Sequence, residues 1–399
     1  MHILLIHQAF AAIDEPGGTR HHEFARYLVA QGHRVTVIAS PVSYLTGALT
    51  PHPSPDGRGE GVRVIRAKVY EAHHKSFMHR VLAFFSFMLS SFWIGLGVDR
   101  VDVVWGTSPP IFQGVTAWAL ARIKGAKFLF EVRDLWPQFA IAVGVLTNPT
   151  LIKLSEGLER FLYSHADQVM VNSPGYSAHV QRRGSKKVEL IPNGADPEMF
   201  DPLANGIAFR QKNKLKNKFV ILYAGAHGMS NDLDVVLGAA KILEKERDIH
   251  FVFVGDGKEK QNLIAHAESL GLKNVLFLPP VPKSAMGAVL AGADACLAIL
   301  KPIDEYKTTY PNKVFDYMAA GRPVILAIDG VIREVIDAAQ CGVFAQPGNA
   351  QAIADAARQF ESNRDRSLAM GLAGRKFLEE NFSREAIAGK LLKVMEKMR

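Results

Sequence analysis

The first forty residues read HILLIH (2–7), then a glycine turn PGGTR (16–20) opening a helical stretch (18–31), then RVTVIAS (34–40). The two β-rich runs are almost continuously apolar. Alternation would mark a strand with one wet face; continuous apolarity marks a strand buried on both faces, which means a parallel sheet covered by helices. A parallel pair needs a crossover, and 18–31 supplies it. The same unit recurs outward from this start. Runs at 62–68, 101–107, 127–134, 168–172 and 188–193 continue the first half, with 110–124 as a further crossover helix. In the second half the runs are 219–225, 250–255, 275–278, 295–300, 323–328 and 342–345, and the helical stretches are 233–245, 258–270 and 312–321. Each half therefore reads as a doubly wound α/β unit.

The polar stretch 196–217 separates the halves. The expected layout is a Rossmann-like domain over 1–195, that linker, a second Rossmann-like domain over 218–382, and a C-terminal helix at 383–399 packing back toward the first domain. Two such domains place an interdomain cleft at the carboxyl ends of their strands. A length of 399 residues agrees with two domains. Net charge is +8, which suits an anionic partner: a phosphorylated substrate, a membrane surface or nucleic acid. Basic residues are dispersed without an aromatic–basic strip, which argues against nucleic acid. Two cysteines, Cys296 and Cys341, cannot make a disulfide framework and fit a reducing compartment. The first residues run straight into a strand, with no basic n-region or cleavage site of a signal peptide. The segment PHPSPDGRGEG (51–61) reads as a surface loop.

VLAFFSFMLSSFWIGLGV (81–98) is eighteen residues without a charge, flanked by Lys75, Arg80 and Arg100. Its length reaches the lower limit of a membrane span. It also lies between two strands of one sheet, which a span would put on opposite sides of a bilayer. A buried crossover helix, or one that also dips into an anionic membrane interface, fits better.

Several motifs sit at strand ends, where this architecture places ligands. Gly17 and Gly18 open the first helix and allow close approach of a phosphate, or simply make a tight turn. EVRDLWP (131–137) ends the fifth run with three charged residues; Glu131 and Arg133 should share a face, with Asp134 on the other or in the loop. IPNGAD (191–196) is turn chemistry. Gly225, His227 and Gly255 lie on glycine turns of the second half. KTTYPNKVFDYMAAGRPV (307–324) is the most informative segment. Pro311 and Asn312 begin a helix and Gly321 ends it. The helix start offers free N–H groups to an anion, Lys307 and Lys313 add charge, and Asp316 lies one turn in, where a carboxylate could take ribose hydroxyls. That is the shape of a nucleoside-diphosphate site; the plainer alternative is a capped helix with solvated lysines.

In this order, GGTR, SPP (108–110), EVRDLWP, IPNGAD, YAG, VGDG and PNKVFDYMAAGRPV resemble the GT-B glycosyltransferases of family 4, most of all the bacterial surface-polysaccharide enzymes that include the L-fucosamine transferases. The resemblance spans essentially the whole chain. It implies a GT-B fold and retaining transfer of a sugar from a nucleotide-sugar, with no cofactor and no required metal. It implies that Gly17 and Gly18 form a donor-diphosphate loop, and that Gly225, Gly255, Lys307, Asn312 and Lys313 surround the donor. Asp316 matches the second acid of the family's E-x7-E motif, which holds the donor ribose. The first acid would fall at Thr308 and is absent; Glu305 is near but wrongly spaced. Arg133 and Asp134 stand where many relatives have His-Asp at the reacting centre. The usual phosphate-binding Arg after the second-half glycine is missing, with His227 as a candidate substitute. The implied acceptor is an undecaprenyl-diphosphate-linked sugar, so the implied location is the cytoplasmic face of the membrane, with peripheral attachment through 81–98. A 2-epimerase of the same fold and a non-catalytic nucleotide-sugar-binding scaffold are the alternatives.

Overall fold

A computed structural model describes residues 1–15, 17–42, 61–70, 77–246 and 248–399, with the backbone alone at Phe77, Met78 and Arg80. The loop expected at 51–61, apart from Gly61, and the flanking Lys75 lie outside the described residues. The chain divides into two units: Met1–Pro192 with Glu385–Arg399, and Asn193–Arg384.

The first unit is built on seven strands: β1 His2–Ile6, β2 Arg34–Ala39, β3 Val62–Arg66, β4 Val103–Ser108, β5 Lys127–Val132, β6 Gln168–Val171 and β7 Val188–Leu190. Their order is β3-β2-β1-β4-β5-β6-β7, and every pairing is parallel. The order reverses between β1 and β4, so the carboxyl ends of these two strands mark the ligand edge. Successive residues of β1 feed opposite layers: Leu4 and Ile6 enter the core with Phe87, Leu120 and Phe128, while Ile3 and Leu5 enter the other with Phe24 and Trp105. The helix Arg384–Lys397 closes that second layer with Ile387, Ala388, Leu391 and Met395.

The second unit holds β8 Phe219–Ala224, β9 Ile249–Val254, β10 Val275–Leu278, β11 Ala295–Ile299, β12 Val324–Ala327 and β13 Gly342–Phe344. They form a parallel sheet in the order β10-β9-β8-β11-β12-β13, with the switch between β8 and β11. Here too one strand serves two cores: Val220, Leu222 and Ala224 on one face, Phe219, Ile221 and Tyr223 on the other. The stretch 196–217, expected as a linker, lies wholly in this unit. It carries the helix Ile207–Lys212, and Phe200 and Leu215, each 2% exposed, sink into the core and pin it there.

The apolar stretch 81–98 forms the helix Phe77–Leu96, which crosses from β3 to β4. Ala83, Phe87, Ser91 and Gly95, four residues apart, are buried. Leu82, Phe85, Leu89 and Trp93, spaced three, four and four, are 52%, 41%, 57% and 70% exposed. Among the described residues no helix is long and apolar enough to cross a membrane, which removes the spanning alternative.

Candidate active site

In the first unit the chemistry gathers at the carboxyl ends of β1, β4 and β5. Glu131, the fifth residue of β5, is fully buried. Sequence spacing pairs it with Arg133, but its direct partners come from the first helix: Arg20 Nε donates to Oε1 at 3.1 Å and His21 Nε2 to Oε2 at 2.5 Å. Burial alone would raise the Glu131 carboxyl, but its interaction with His21 and the charges of Arg20 and Arg133 hold it well below the usual range. Arg20 also donates to the carbonyls of Ile191 and Pro192, both at 2.6 Å. The helix that follows Gly17 and Gly18 is thereby fastened to β5 and to the exit of β7.

β5 ends at Val132, so Arg133 and Asp134 lie in the turn beyond it. Arg133 donates to Thr107 Oγ1 and to the Pro109 carbonyl, both at 2.8 Å. These bonds fix the guanidinium beside the ligand edge. Asp134 is partly buried, and desolvation pushes its carboxyl up to about 6, against the opposing pull of Arg133. His7, at the end of β1, stacks on His21 with ring centroids 4.2 Å apart. Its two ring nitrogens are buried without a hydrogen-bond partner among the described residues, and burial together with His21 and Arg133 keeps it neutral.

In the second unit three elements converge: the turn after β8, the turn after β9 and the start of the helix Asn312–Ala319. Gly225 and Gly255 both have left-handed backbone, with φ of 149° and 151°. A Cβ on Gly255 would lie 1.9 Å from the Gly225 carbonyl oxygen, and one on Gly225 would lie 2.9 Å from Lys313 Nζ. Only glycine lets these turns and the lysine meet. Lys313 Nζ sits 3.8 Å from the centroid of the Tyr223 ring and 3.5 Å from Asn231 Oδ1. Burial, with no counter-charge acting on it among the described residues, draws its ammonium down to about 7. Asn312 Oδ1 is buried without a hydrogen-bond partner among the described residues.

Two expected members are placed differently. The His227 ring is 0% exposed and packed near Tyr223, Phe253 and Phe277, with both nitrogens unpartnered and its pKa brought down to about 4. It packs beneath the turn after β8. Lys307 is exposed and pairs with Asp304 at 2.7 Å. Asp316, one turn beyond Lys313, is bonded by Lys283, the first residue of the helix Lys283–Ala291 that follows β10, Nζ to Oδ1 at 2.5 Å. Thr308, at the expected place of a first acid, donates its hydroxyl to the Glu305 carbonyl at 2.6 Å.

Two family models match these two regions: one described as a glycosyl transferase 4-like domain over residues 17–194, the other as glycosyl transferases group 1 over residues 206–377. The chain is a glycosyltransferase. Its fold is the GT-B architecture of two Rossmann-like domains. It is similar to sucrose-phosphate synthase from Thermosynechococcus elongatus (TM-score 0.79, 19% identity, 100% of this chain and 98% of that one). It is also similar to Anabaena HepE, solved in complex with UDP-glucose (TM-score 0.72, 14% identity, 100% of both chains). In sequence it resembles the colanic acid biosynthesis glycosyl transferase WcaI of Escherichia coli strain K12, at 27% identity over 320 residues, 77% of this chain and 78% of that one.

Sequence reading of this glycosyltransferase missed Arg20, His21, Tyr223, Asn231 and Lys283. Arg20 was visible as the end of GGTR, and Tyr223 as the start of YAG, but neither spacing says what the side chain touches. Among the described residues of the glycosyltransferase, no group of three or more His, Cys, Asp or Glu is arranged to hold a metal ion.

Proposed function

We propose that this glycosyltransferase moves a sugar from a UDP-sugar to a lipid-linked saccharide in bacterial surface-polysaccharide synthesis, with retention at the anomeric carbon. The observation that carries the donor half is Lys313: a largely buried lysine with no counter-charge acting on it among the described residues, beside two glycine turns and the amides of a helix start. Leaving-group departure places negative charge on a diphosphate, and a preset cation and N–H groups stabilise it more than they stabilise the intact donor. Asp316 takes the ribose hydroxyls. The HepE complex supports a UDP-sugar, and the likeness to WcaI supports a polysaccharide pathway. The narrower form of this proposal, on EVRDLWP and PNKVFDYMAAGRPV, places the chain with the L-fucosamine transferases.

On the acceptor side, Arg133 and Asp134 hold the attacking hydroxyl. The acceptor oxygen bonds to the anomeric carbon on the face from which the diphosphate leaves. The carbon–phosphate oxygen bond breaks, and the hydroxyl proton passes to a diphosphate oxygen. The exposed stripe Leu82-Phe85-Leu89-Trp93 seats the enzyme on the anionic cytoplasmic membrane surface, where a lipid-linked acceptor resides. The test is a titration with UDP, followed by incubation of UDP-sugars with polyprenyl-diphosphate-linked saccharides and analysis of the product's anomeric configuration. UDP binding with transfer and retention is the expected result. An inverted product would refute the retaining step, and absence of UDP binding would refute the donor.

A further inference from the structure

Lys283 begins the helix Lys283–Ala291, directly after the loop from the carboxyl end of β10. It is 9% exposed, an unusual state for a lysine. Its ammonium lies 2.5 Å from Asp316 Oδ1 and 5.2 Å from the centroid of the buried Phe200 ring. The pair joins two ligand-edge elements that stand 33 positions apart in sequence.

Asp316 and Lys313 are three residues apart on one helix, so their side chains leave from neighbouring surface positions. A carboxylate able to grip a ribose diol thus stands one turn from the cation proposed for the diphosphate. Uncompensated, its charge would repel the phosphates as they arrived. It would also be free to turn away from the diol. One buried ammonium on Oδ1 removes both problems: it cancels the charge and fixes the carboxylate's orientation.

We infer that Lys283 is a positioning residue of the donor site, holding the Asp316 carboxylate oriented and electrically compensated so that one helix can bind both the ribose and the diphosphate. This rests on the donor reading above. A plain structural tie between the two helices would not depend on the ribose.

The experiment measures Kd for UDP and for 2′-deoxy-UDP with the full-length protein. In the wild type the deoxy analogue binds about tenfold more weakly, the loss of one charge-assisted hydrogen bond. Lys283→Met weakens UDP about tenfold and shrinks the discrimination to about twofold, whereas Lys283→Arg keeps it. The double variant Lys283→Met/Asp316→Asn binds UDP more tightly than Lys283→Met alone, because the uncompensated carboxylate is gone. Lys283→Gln provides the same measurement should the methionine variant not fold. Undiminished discrimination and UDP affinity in Lys283→Met or Lys283→Gln would overturn the inference while leaving the donor reading intact. A wild type that binds UDP without discriminating the 2′-hydroxyl would overturn it through the role given to Asp316. A wild type that does not bind UDP would remove the donor reading itself.

Discussion

Raising the pH from 7.0 to 8.5 should weaken UDP binding about fifteenfold, and the reason lies in Lys313. Burial brings its pKa down from 10.5 to about 7 in the empty site. The protonated lysine is the form that receives a diphosphate. At pH 7.0 about half the molecules carry that proton, and at pH 8.5 about 3% do. A bound diphosphate supplies the missing counter-charge and returns the pKa toward its ordinary value, so binding takes up a proton. The affinity is thus fully present below the empty-site pKa and is lost as pH rises through it. The empty fold shows the opposite sign at this residue, gaining stability from pH 7 toward 10.5 as the buried charge disappears. The terminal phosphate of UDP ionises near pH 6, so it contributes little over this range. His227, with a pKa of about 4, is neutral throughout. Lys260, whose Nζ is held by the Gly255 and Leu278 carbonyls, is also lowered by burial and is a further cation to control for. Isothermal titration in buffers of different ionisation enthalpy reads both quantities. Uptake of about half a proton is expected at pH 7.0 and nearly one at pH 8.5. Lys313→Met should bind UDP at least tenfold more weakly at pH 7.0 and lose most of the slope; what remains reports Lys260. An affinity constant within twofold across the range, with no proton uptake, would refute the assignment of Lys313.

Asp134→Asn should leave UDP affinity unchanged and lower kcat about tenfold, the loss of one charge-assisted hydrogen bond to the attacking hydroxyl, measured with saturating donor. In the wild type, kcat/KM should fall as pH drops through about 6, where the raised Asp134 carboxyl takes up its proton; a flat profile from pH 5 to 8 would contradict this role. Glu131→Ala removes the buried acceptor shared by Arg20 Nε and His21 Nε2 and should cost roughly 3 kcal/mol in denaturant unfolding. Because the Glu131 pKa is depressed on folding, its contribution is present above the unfolded value of about 4.5 and fades as pH falls below it, so acid should destabilise the wild type more than the variant. Leu89→Ser with Trp93→Ser removes two apolar side chains, 57% and 70% exposed, from the outer stripe. Sedimentation with phosphatidylglycerol vesicles should drop at least tenfold with UDP binding unchanged; equal sedimentation would exclude this face as the contact.

The sheets were legible because they are buried on both sides. Every residue of β1 is buried, so HILLI reads as a continuous apolar run, and the same holds for FVILYA in β8. The helix 312–319 was legible from its punctuation, with Pro311 before it and Gly321 in left-handed backbone after it. Side-chain partners were not. Glu131 looked like a partner of Arg133 two residues away, yet β5 ends between them, and the ion pairs come from a helix 110 positions earlier. His227 stands on the expected turn, but nothing local reveals that its ring rotates inward among Tyr223, Phe253 and Phe277. Polar composition alone suggested a linker at 196–217, because two buried side chains, Phe200 and Leu215, are too few to register in an average.

From Glu385 onward, the helix Arg384–Lys397 belongs to the same unit as β1. The first unit is therefore interrupted in the chain by all of Asn193–Arg384, and its last layer is synthesised last. At a synthesis rate of roughly 5–20 residues per second, Ile3, Leu5 and Trp105 wait on the order of ten seconds or more for Ile387, Leu391 and Met395 to emerge. During that interval the second unit, contiguous in sequence, can fold first. The order of translation is thus reversed in the order of completion, and the earliest residues made are among the last to be sealed from water.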